Sequence, residues 1–432
     1  MKGRWEALTR DSLITVAAFL LAAALNYAFS VTMGWLLSPA EYGMLSVAQT
    51  LYMLGATLLV SGFPWAVARG LAAGGSIEEK RRLFKSALLG NVVFGVLLGS
   101  ALCLAYAGSL LHLERSYTPL ILLVAFAFAL MGVQSVFRNA LRGLFRLGAF
   151  GVAQILEAGG KLVIGCVGVW LGLGARGAVA GLPGSLLLTL ILCFWLTRHL
   201  RFWKERGWAG RKVYTDSLYL FVGMAGITFL MHLDVLGVKF FSARVGSDLL
   251  AGYFQVAATL ARPPAFIALA VANAVFPHAS QCAHIPGLTG RYVKVTLVGI
   301  TAGLVPLHLI LALFSNRVLA ILFPPPYQAS APILTVLALC TIPLDFLFIL
   351  VSMLQARGEH RLPAFVLLGA LVLEGGGMAL LVPRLGPIGA ALALGGAAAM
   401  AAFVLLIAAV LPARGARAPG KRAVLRPSSD GR

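Results

Sequence analysis

The stretch YGMLSVAQTL, residues 42–51, returns in the second half of the chain as AGYFQVAATL, residues 251–260. The two stretches share a glycine, a Val-Ala pair and a Thr-Leu pair at a constant offset of 209 residues. Each lies in an apolar run that is long enough to cross a bilayer as a helix. The repeat therefore predicts a chain built from two halves of the same topology.

Three more pairs of short segments match in the same order. They are DSLI from Asp11 with DSLY from Asp216, GFPWA from Gly62 with VFPHA from Val275, and RGLFRLGAF from Arg142 with RGEHRLPAF from Arg357. The offset grows from 205 to 215 residues along the chain, and four ordered matches are hard to obtain by chance. We therefore predict two lobes, residues 1–205 and 206–411, and a basic cytoplasmic tail, residues 412–432, that we expect to be disordered.

The composition predicts that both lobes lie in a membrane. Of the 432 residues, 60% are hydrophobic and 12% are charged, and the mean hydropathy is +0.91. A soluble chain of this length needs more polar surface. Apolar runs of about 20 residues, the length that spans a bilayer as a helix, recur along the chain. They lie at about 12–36, 43–66, 86–109, 118–140, 150–172, 178–197, 216–238, 249–275, 293–314, 330–354, 362–383 and 387–411. The sequence thus predicts an all-α polytopic membrane protein with about twelve transmembrane helices, six in each lobe.

The distribution of Lys and Arg predicts the orientation. With the amino terminus inside, 27 of the 35 Lys and Arg residues, Arg138 among them, fall on the cytoplasmic side and six fall on the outer side. This bias follows the positive-inside rule, and an even number of spans places both termini in the cytoplasm. The formal net charge of +20 is then explained by topology and by attraction to anionic lipids of the cell membrane, so we expect no nucleic-acid partner. The length of the first apolar run predicts a retained helix and not a cleaved signal peptide.

The cysteines predict neither a metal site nor a disulfide framework. Cys103, Cys166, Cys193, Cys282 and Cys340 occur singly, without a CxxC motif or clustered histidines. We expect them to pack as small apolar residues, and we expect no metal or other cofactor.

The two-lobe repeat itself indicates a class of function. Parallel repeats related by an axis along the membrane normal are typical of transporters. Two similar lobes around a central cleft can rock, so that the cleft opens to one side at a time. A duplication without a mechanical role is the alternative interpretation.

Span five carries two charges in an apolar run, GVAQILEAGGKLVIG, residues 151–165. Gln154, Glu157 and Lys161 share one helix face, which a series of glycines continues. Charges inside a membrane usually face a cavity or a partner, so Glu157 and Lys161 are candidate substrate-binding residues. The alternative is an ion pair between the two within the helix, which packs against a neighbour through the glycines.

Arg262 precedes Pro263 and Pro264 in span eight, where we expect the prolines to bend the helix. A guanidinium at such a bend suits a phosphate, which it can bind with two hydrogen bonds, so Arg262 is a further candidate for substrate binding. The equally favoured alternative is an ion pair with Asp234 of span seven, which would neutralise both side chains.

Three carboxylates in apolar runs are candidate sites for a coupling ion. They are Asp234 near the outer end of span seven, Asp345 in span ten and Glu374 in span eleven. Each could hold a cation or relay a proton, or could be neutral and hydrogen-bonded to a neighbour. Buried amides such as Asn26 and Gln134 are expected to join helices.

Several segments resemble one known family. They are LLSPAEYGMLSVAQTL, SGFPWAVARGLA, LRGLFRLGAFGVAQILEAGGKL, AGYFQVAATL, LFPPPYQASAPILTVLAL and VPRLGPIGAALAL. In this order, over nearly the whole chain, they are similar to the polysaccharide biosynthesis protein family of the multidrug/oligosaccharidyl-lipid/polysaccharide exporter superfamily. The residues most similar to the stage V sporulation protein B type are Arg69, which ends PWAVAR, and the series Arg142, Gly143, Gln154, Glu157 and Lys161. The resemblance implies a twelve-helix, two-lobe fold that flips a lipid-linked saccharide across the cytoplasmic membrane by alternating access.

One position departs from the pattern of lipid II flippases, which carry an arginine in span eight a few residues before a proline. When the chain is aligned through its prolines in that span, the position falls near Thr259, and Arg262 lies three residues further on. The departure argues against lipid II as the substrate and leaves other pyrophosphate lipids open.

The favoured function is a flippase for a saccharide carried on a polyprenyl pyrophosphate, with membrane lipids as further partners and sodium or protons as candidate coupling ions. Lys161 and Arg262, together with the cytoplasmic Arg69 and Arg142, favour an anionic substrate, so Arg69 and Arg142 join the candidates for the cavity.

Two other functions compete with this one. A cation-coupled multidrug exporter of the same superfamily would need a cavity dominated by carboxylates. A membrane glycosyltransferase or polymerase would need catalytic carboxylates on a sizeable loop outside the membrane. The outer loops are short and the inner loop near 198–213 is basic, so we expect no enzymatic activity.

Overall fold

The computed structural model of the protein describes residues 2–72, 76–200, 207, 218–242, 246–282, 288–359 and 361–410. These residues are helical nearly throughout, and none of them lies in a strand. The predicted all-α class is therefore confirmed. The basic loop at residues 198–212, which we expect to join the two lobes, is described only at residues 198–200 and 207, and the tail, residues 412–432, falls outside the described residues.

The helices of the N-terminal half are separated by short connections. They are α1 (Lys2–Leu36), α2 (Pro39–Ser61), α3 (Phe63–Ala72), α4 (Ile77–Ala107), α5 (Thr118–Gly143), α6 (Leu147–Gly168) and α7 (Gly174–Thr197). Two of them begin at a capping box, in which a serine side chain accepts from a backbone N–H of the first turn and a glutamate returns the bond. Ser38 and Glu41 form the box of α2, and Ser76 and Glu79 form that of α4. These local signals determine where both helices begin.

The helices of the C-terminal half follow the same pattern with more interruptions. They are α8 (Leu218–Phe241), α9 (Ser247–Ala261), α10 (Pro263–Cys282), α11 (Leu288–Leu313), α12 (Ser315–Leu322), α13 (Ala331–Cys340), α14 (Ile342–Ala356), α15 (Arg361–Leu385) and α16 (Pro387–Val410). The axes of α9 and α10 differ by 45° at Arg262. The prolines that follow Arg262 cannot continue the hydrogen-bond ladder, which confirms the predicted bend.

By length and apolarity, nine segments of the described residues could cross a membrane, and α9 with the first part of α10 would make a tenth. One of the nine, Leu147–Leu200, contains both α6 and α7. Each of the twelve apolar runs overlaps at least one helix. The protein is thus a multi-pass membrane protein, and its exact number of twelve spans stays a prediction.

The glycines of α6 pack it against α7. A Cβ atom on Gly168 would lie 2.7 Å from the backbone of Gly177, and one on Gly165 would lie 2.8 Å from the ring of Phe29 in α1. Small residues let helix backbones approach closely in a membrane, where apolar burial alone does not hold helices together. The predicted stripe therefore serves as a packing surface that fixes α6 between α1 and α7.

The two halves meet mainly through α2, which packs against α8 and α9. A single hydrophobic core runs from α1 and α2 of the first half into the helices of the second half. A smaller core, around Phe84 and Phe137, lies among the helices of the N-terminal half alone. The helices that join the halves are those that carry the repeated stretch, residues 42–51 and 251–260.

Candidate substrate and coupling sites

Glu157 of α6 is held by α5 and not by Lys161. Its Oε2 atom accepts a hydrogen bond from Gln134 at 3.1 Å and forms an ion pair with the guanidinium of Arg138. The side chains of Arg138 and Glu157 are 12% and 23% exposed, so the ion pair is only partly buried. The intrahelical pair of Glu157 with Lys161, one of the two sequence-based alternatives, is therefore not the pairing that forms.

Arg138, which the sequence assigns to the cytoplasmic side, reaches in among the helices with its side chain. Glu157 lies ten residues into α6, or about 15 Å along the helix axis at 1.5 Å per residue. The long Arg138 side chain lies against that carboxylate among the helices. A buried carboxylate attracts a cation because the desolvated charge is otherwise costly.

Lys161 is buried, with 8% of its surface exposed, and its contacts are neutral. Its Nζ atom donates to Oδ1 of Asn26 in α1 and lies 4.6 Å from the centroid of the Phe29 ring. The amide nitrogen of Asn26 donates to the carbonyl of Ala22 at 2.9 Å, which leaves its oxygen free for the lysine. Asn26 thus joins α1 to α6, as expected for an intramembrane amide.

The charges of this cluster do not cancel. Arg138 and Lys161 are two cations, and Glu157 forms an ion pair with Arg138 alone. Lys161 interacts with Glu157 electrostatically without a direct ion pair, and its close contacts among the described residues are an amide oxygen and an aromatic face. The N-terminal half therefore presents a partly uncompensated cation among its helices.

Arg262 forms the ion pair that was one of its two alternatives. Its Nη2 atom lies 2.7 Å from both Oδ1 and Oδ2 of Asp234 in α8. Their side chains are 6% and 0% exposed, and Asp234 also accepts from the backbone N–H of Val235 at 2.8 Å. The bend between α9 and α10 places the arginine at the end of α9, from which it reaches α8. This guanidinium is compensated inside the protein.

Glu374 of α15 lies near that ion pair. It interacts electrostatically with both Asp234 and Arg262. It is fully buried, and neither of its carboxyl oxygens has a hydrogen-bond partner in the part of the chain that the structure describes. A buried carboxyl in this state is either protonated or poised to take up a cation, because an isolated carboxylate in apolar surroundings is costly.

Asp345 of α14 pairs with a residue that sequence reasoning missed. Its Oδ2 atom lies 2.8 Å from Nε2 of His308 in α11, and Oγ1 of Thr341 lies 3.4 Å from Nδ1 of the same ring. Both His308 and Asp345 are buried, and Oδ1 of Asp345 has no partner among the described residues. A lone histidine in the apolar run of α11 was the only signal for this pair. The partner, 37 residues away, depends on helix packing.

Arg69 and Arg142 lie away from Lys161, exposed at the inner ends of the neighbouring helices α3 and α5. The guanidinium carbon of Arg142 lies 4.6 Å from the centroid of the Trp65 ring, a cation–π contact. These two candidates are exposed and are not part of the buried cluster.

The described residues contain no group of three or more His, Cys, Asp or Glu side chains that could hold a metal ion. Cys103, Cys166, Cys193 and Cys340 are free thiols.

The chain is similar in sequence to a known protein family and to a known membrane protein. A model of the family described as "Polysaccharide biosynthesis protein" matches residues 8–283. An uncharacterized membrane protein of Methanocaldococcus jannaschii is 28% identical over 189 residues, which cover 42% of this chain and 36% of that relative. The chain therefore spans about a third of the length of this curated relative.

Solved structures of transporters share the fold. The lipid II flippase MurJ in an inward closed conformation has a TM-score of 0.70 at 15% identity, covering 92% of this chain and 87% of the other. A multidrug resistance MATE family transporter of the MOP superfamily has a TM-score of 0.69 in its inward-facing conformation, at 16% identity and 92% and 97% coverage. An outward-facing structure of such a transporter scores 0.56 at 15% identity, covering 93% of this chain and 94% of the other.

The family model covers well over half of the chain, and the fold extends over nearly all of it. The chain belongs to the polysaccharide biosynthesis protein family and has the fold of the MOP superfamily transporters.

Proposed function

We propose that this protein is a flippase that moves a saccharide linked to a polyprenyl pyrophosphate across the cell membrane, by alternating access of its two halves. The observation that carries the proposal is the buried Lys161, whose contacts are an amide oxygen and an aromatic ring. An ammonium group with neutral partners keeps its attraction for an anion, and a pyrophosphate supplies one. The family to which the chain belongs supports a saccharide as the other part of the substrate.

The cations of the predicted cavity divide into three kinds. Arg69 and Arg142, exposed at the inner ends of α3 and α5, would meet the phosphates as the lipid enters from the cytoplasmic leaflet. Lys161 would bind the anion deeper in the membrane, with Glu157 and Arg138 beside it. Arg262 is held by Asp234 and would contribute only when Asp234 releases it.

A coupling ion is proposed to act in the C-terminal half, where Asp234, Asp345 and Glu374 are buried. Glu374 supports this role most strongly, because both of its oxygens lack partners among the described residues. Uptake of a proton or a sodium ion would remove that unfavourable state. Movement of either ion down its gradient could then drive the change between inward and outward states.

The same buried carboxylates favour a second candidate, an exporter of cationic drugs. A cationic drug would be attracted by Glu374 or Asp345 but repelled by Lys161. The two candidates therefore predict opposite charges for the substrate. A glycosyltransferase or polymerase is the weakest alternative, because the family and the fold are those of transporters.

The decisive test is reconstitution into vesicles with a panel of polyprenyl-pyrophosphate saccharides, scored by their accessibility to an external enzyme. Efflux of a lipophilic cation from the same vesicles is the parallel assay. We expect translocation of at least one saccharide lipid, reduced in Lys161→Met and partly kept in Lys161→Arg. Efflux of the cation, without translocation of any saccharide lipid, would replace the flippase with the exporter.

The proposed orientation is tested by cysteine labelling in intact cells. Cysteines at positions 115 and 176 should react with an impermeant reagent from outside, and a cysteine at position 82 should react only after the membrane is opened. Labelling of position 82 in intact cells would overturn the assignment of both termini to the cytoplasm.

A further inference from the structure

The helices α2 and α9, which carry the repeated stretch, cross at two equivalent glycines. A Cβ atom on Gly43 would overlap the backbone carbonyl of Asp248, and a Cβ atom on Gly252 would overlap the carbonyl of Pro39. Each carbonyl lies four residues before the opposite glycine, and the two glycines are 209 residues apart, the offset of the repeat. The contact is therefore reciprocal, as expected where two related helices meet on a two-fold axis.

Asp248 of α9 connects the two halves beside this crossing. Its Oδ1 atom accepts a hydrogen bond from the hydroxyl of Tyr117, at the start of α5, and lies 2.6 Å from Nζ of Lys239 in α8. The Lys239 ammonium lies 5.1 Å from the centroid of the Tyr117 ring and also donates to Ser247 at 3.0 Å. The carboxylate thus belongs to an ion pair within its own half and to a hydrogen bond across the interface.

Aromatic residues close the interface around the crossing. The rings of Tyr42 and Tyr327 meet edge to face at 5.7 Å, and the hydroxyl of Tyr327 donates to the carbonyl of Leu37 at 3.1 Å. The indole N–H of Trp35 donates to the carbonyl of Leu322 at 2.9 Å. Each of these contacts joins the N-terminal half to the C-terminal half, and each lies at helix ends that the charge distribution places outside.

We propose that this region is the outer gate of the transporter, and that Asp248 is its latch. The gate comprises the Gly43–Gly252 crossing, the bond of Tyr117 to Asp248, and the aromatic contacts of Tyr42, Tyr327 and Trp35. The proposal rests on the proposed function insofar as alternating access requires this end to open. Outward opening would separate α2 from α9 and break the Tyr117–Asp248 bond. Asp248 would keep Lys239 as its partner, so opening leaves no carboxylate without a counter-charge.

The gate is tested by distances between spin labels on the full-length protein in lipid nanodiscs, with its native cysteines replaced. Labels at Leu110 and Asn316, both exposed, report the separation of the outer ends, and labels at Ile77 and Leu362 report the inner ends. Tyr117→Phe keeps the ring over Lys239 and removes only the hydroxyl. A hydrogen bond to a charged group corresponds to roughly a tenfold equilibrium change or more, so Tyr117→Phe and Asp248→Asn should raise the outward-open fraction about tenfold.

The matched control is Tyr106→Phe. The Tyr106 hydroxyl also lies at the outer end but bonds to Thr118 at 2.7 Å, within the N-terminal half, so its loss should leave the distances unchanged. An equal shift in the control, or no shift in Tyr117→Phe, would overturn the assignment of the latch.

A second variant tests the crossing itself. Gly252→Ala places a methyl group against the carbonyl of Pro39 and should hold the outer ends apart, whereas Gly369→Ala, where a Cβ would meet nothing within 4 Å, should not. Unchanged outer distances in a folded Gly252→Ala protein would overturn the gate.

The distance measurements need no substrate, so they separate the two proposals. If the outer ends open in the variants but the wild-type protein translocates no saccharide lipid, the proposed function is contradicted and the gate proposal still holds. Translocation with outer distances that do not respond to these variants would contradict the gate alone.

Discussion

The buried polar clusters of the two halves differ in which kind of charged group is in excess. In the N-terminal half, Arg138 and Lys161 accompany one carboxylate, Glu157, and the ion pair retains some exposure. In the C-terminal half, the guanidinium of Arg262 is paired with Asp234, and further buried carboxyl groups lie beside it and at the His308–Asp345 pair. The first half has a cation in excess, and the second has carboxyl groups in excess.

The difference teaches that two halves with similar sequence segments need not carry the same buried charges. The repeat concerns glycines, small residues and helix ends, which determine how helices pack. Glu157 and Glu374 lie 217 residues apart, close to the offset of the repeat, but the cation does not recur, because Met378 stands 217 residues after Lys161. One half can therefore attract an anionic substrate while the other binds a coupling cation, as the proposed flippase requires.

The largest effect is expected for Asp234→Asn, which would break the buried ion pair with Arg262. Removal of one partner leaves Arg262 charged without compensation, which costs about 3–5 kcal/mol in the free energy of unfolding. Chemical denaturation of the purified protein in detergent measures this loss. The double variant Asp234→Asn with Arg262→Met should recover most of it. A single variant within about 1 kcal/mol of the wild type would mean that Glu374 replaces Asp234 as the partner.

Lys161→Met should reduce transport without a matching loss of stability. A hydrogen bond to a charged group contributes about 1.5–3 kcal/mol, so transport should fall about 10–100-fold. Since Glu157 remains paired with Arg138, the free energy of unfolding should change little. Vesicle transport and denaturation curves of the same preparation provide the two measurements. Adding Glu157→Gln should not restore transport, and recovery of transport in the double variant would remove Lys161 from the substrate site.

Arg138→Met tests the pair that was not expected from the sequence. It leaves Glu157 without its cation, but both side chains retain exposure, so the cost should be about 1–3 kcal/mol and below that of Asp234→Asn. The difference in the free energy of unfolding between this single variant and the Arg138→Met, Glu157→Gln double variant measures the cost of the unpaired Glu157 charge. A single variant as stable as the double would show that the ion pair contributes nothing measurable.

The smallest change in stability is expected for Glu374→Gln, because neither carboxyl oxygen loses a partner among the described residues. The free energy of unfolding should stay within about 1 kcal/mol of the wild type, yet the dependence of transport on a sodium or proton gradient should be lost. Asp345→Asn, which weakens the contact with His308, is the comparison variant and should cost about 1–2 kcal/mol. If gradient dependence survives neutralisation of Asp234, Asp345 and Glu374 in turn, coupling through these carboxylates is wrong.

The membrane fold could be predicted because its signals are local. Apolar runs determine where helices lie, since an unpaired backbone in a bilayer is costly. Ser38 with Glu41 starts α2, and Pro263 bends the chain after Arg262. The similarity of the stretches around Gly43 and Gly252 could also be seen in the sequence, because the two share a glycine, a Val-Ala pair and a Thr-Leu pair in the same order.

The sequence by itself thus determined the helices, the membrane environment and which polar residues must be buried. Only the tertiary structure decided their partners: Glu157 pairs with Arg138, Lys161 with Asn26, and Asp345 with His308. These partners are 19, 135 and 37 residues apart in the chain. Residues so far apart meet only when particular helix faces pack. Lys161, four residues after Glu157 in the same helix, is therefore not its ion-pair partner, because the fold brings Arg138 into direct contact with Glu157.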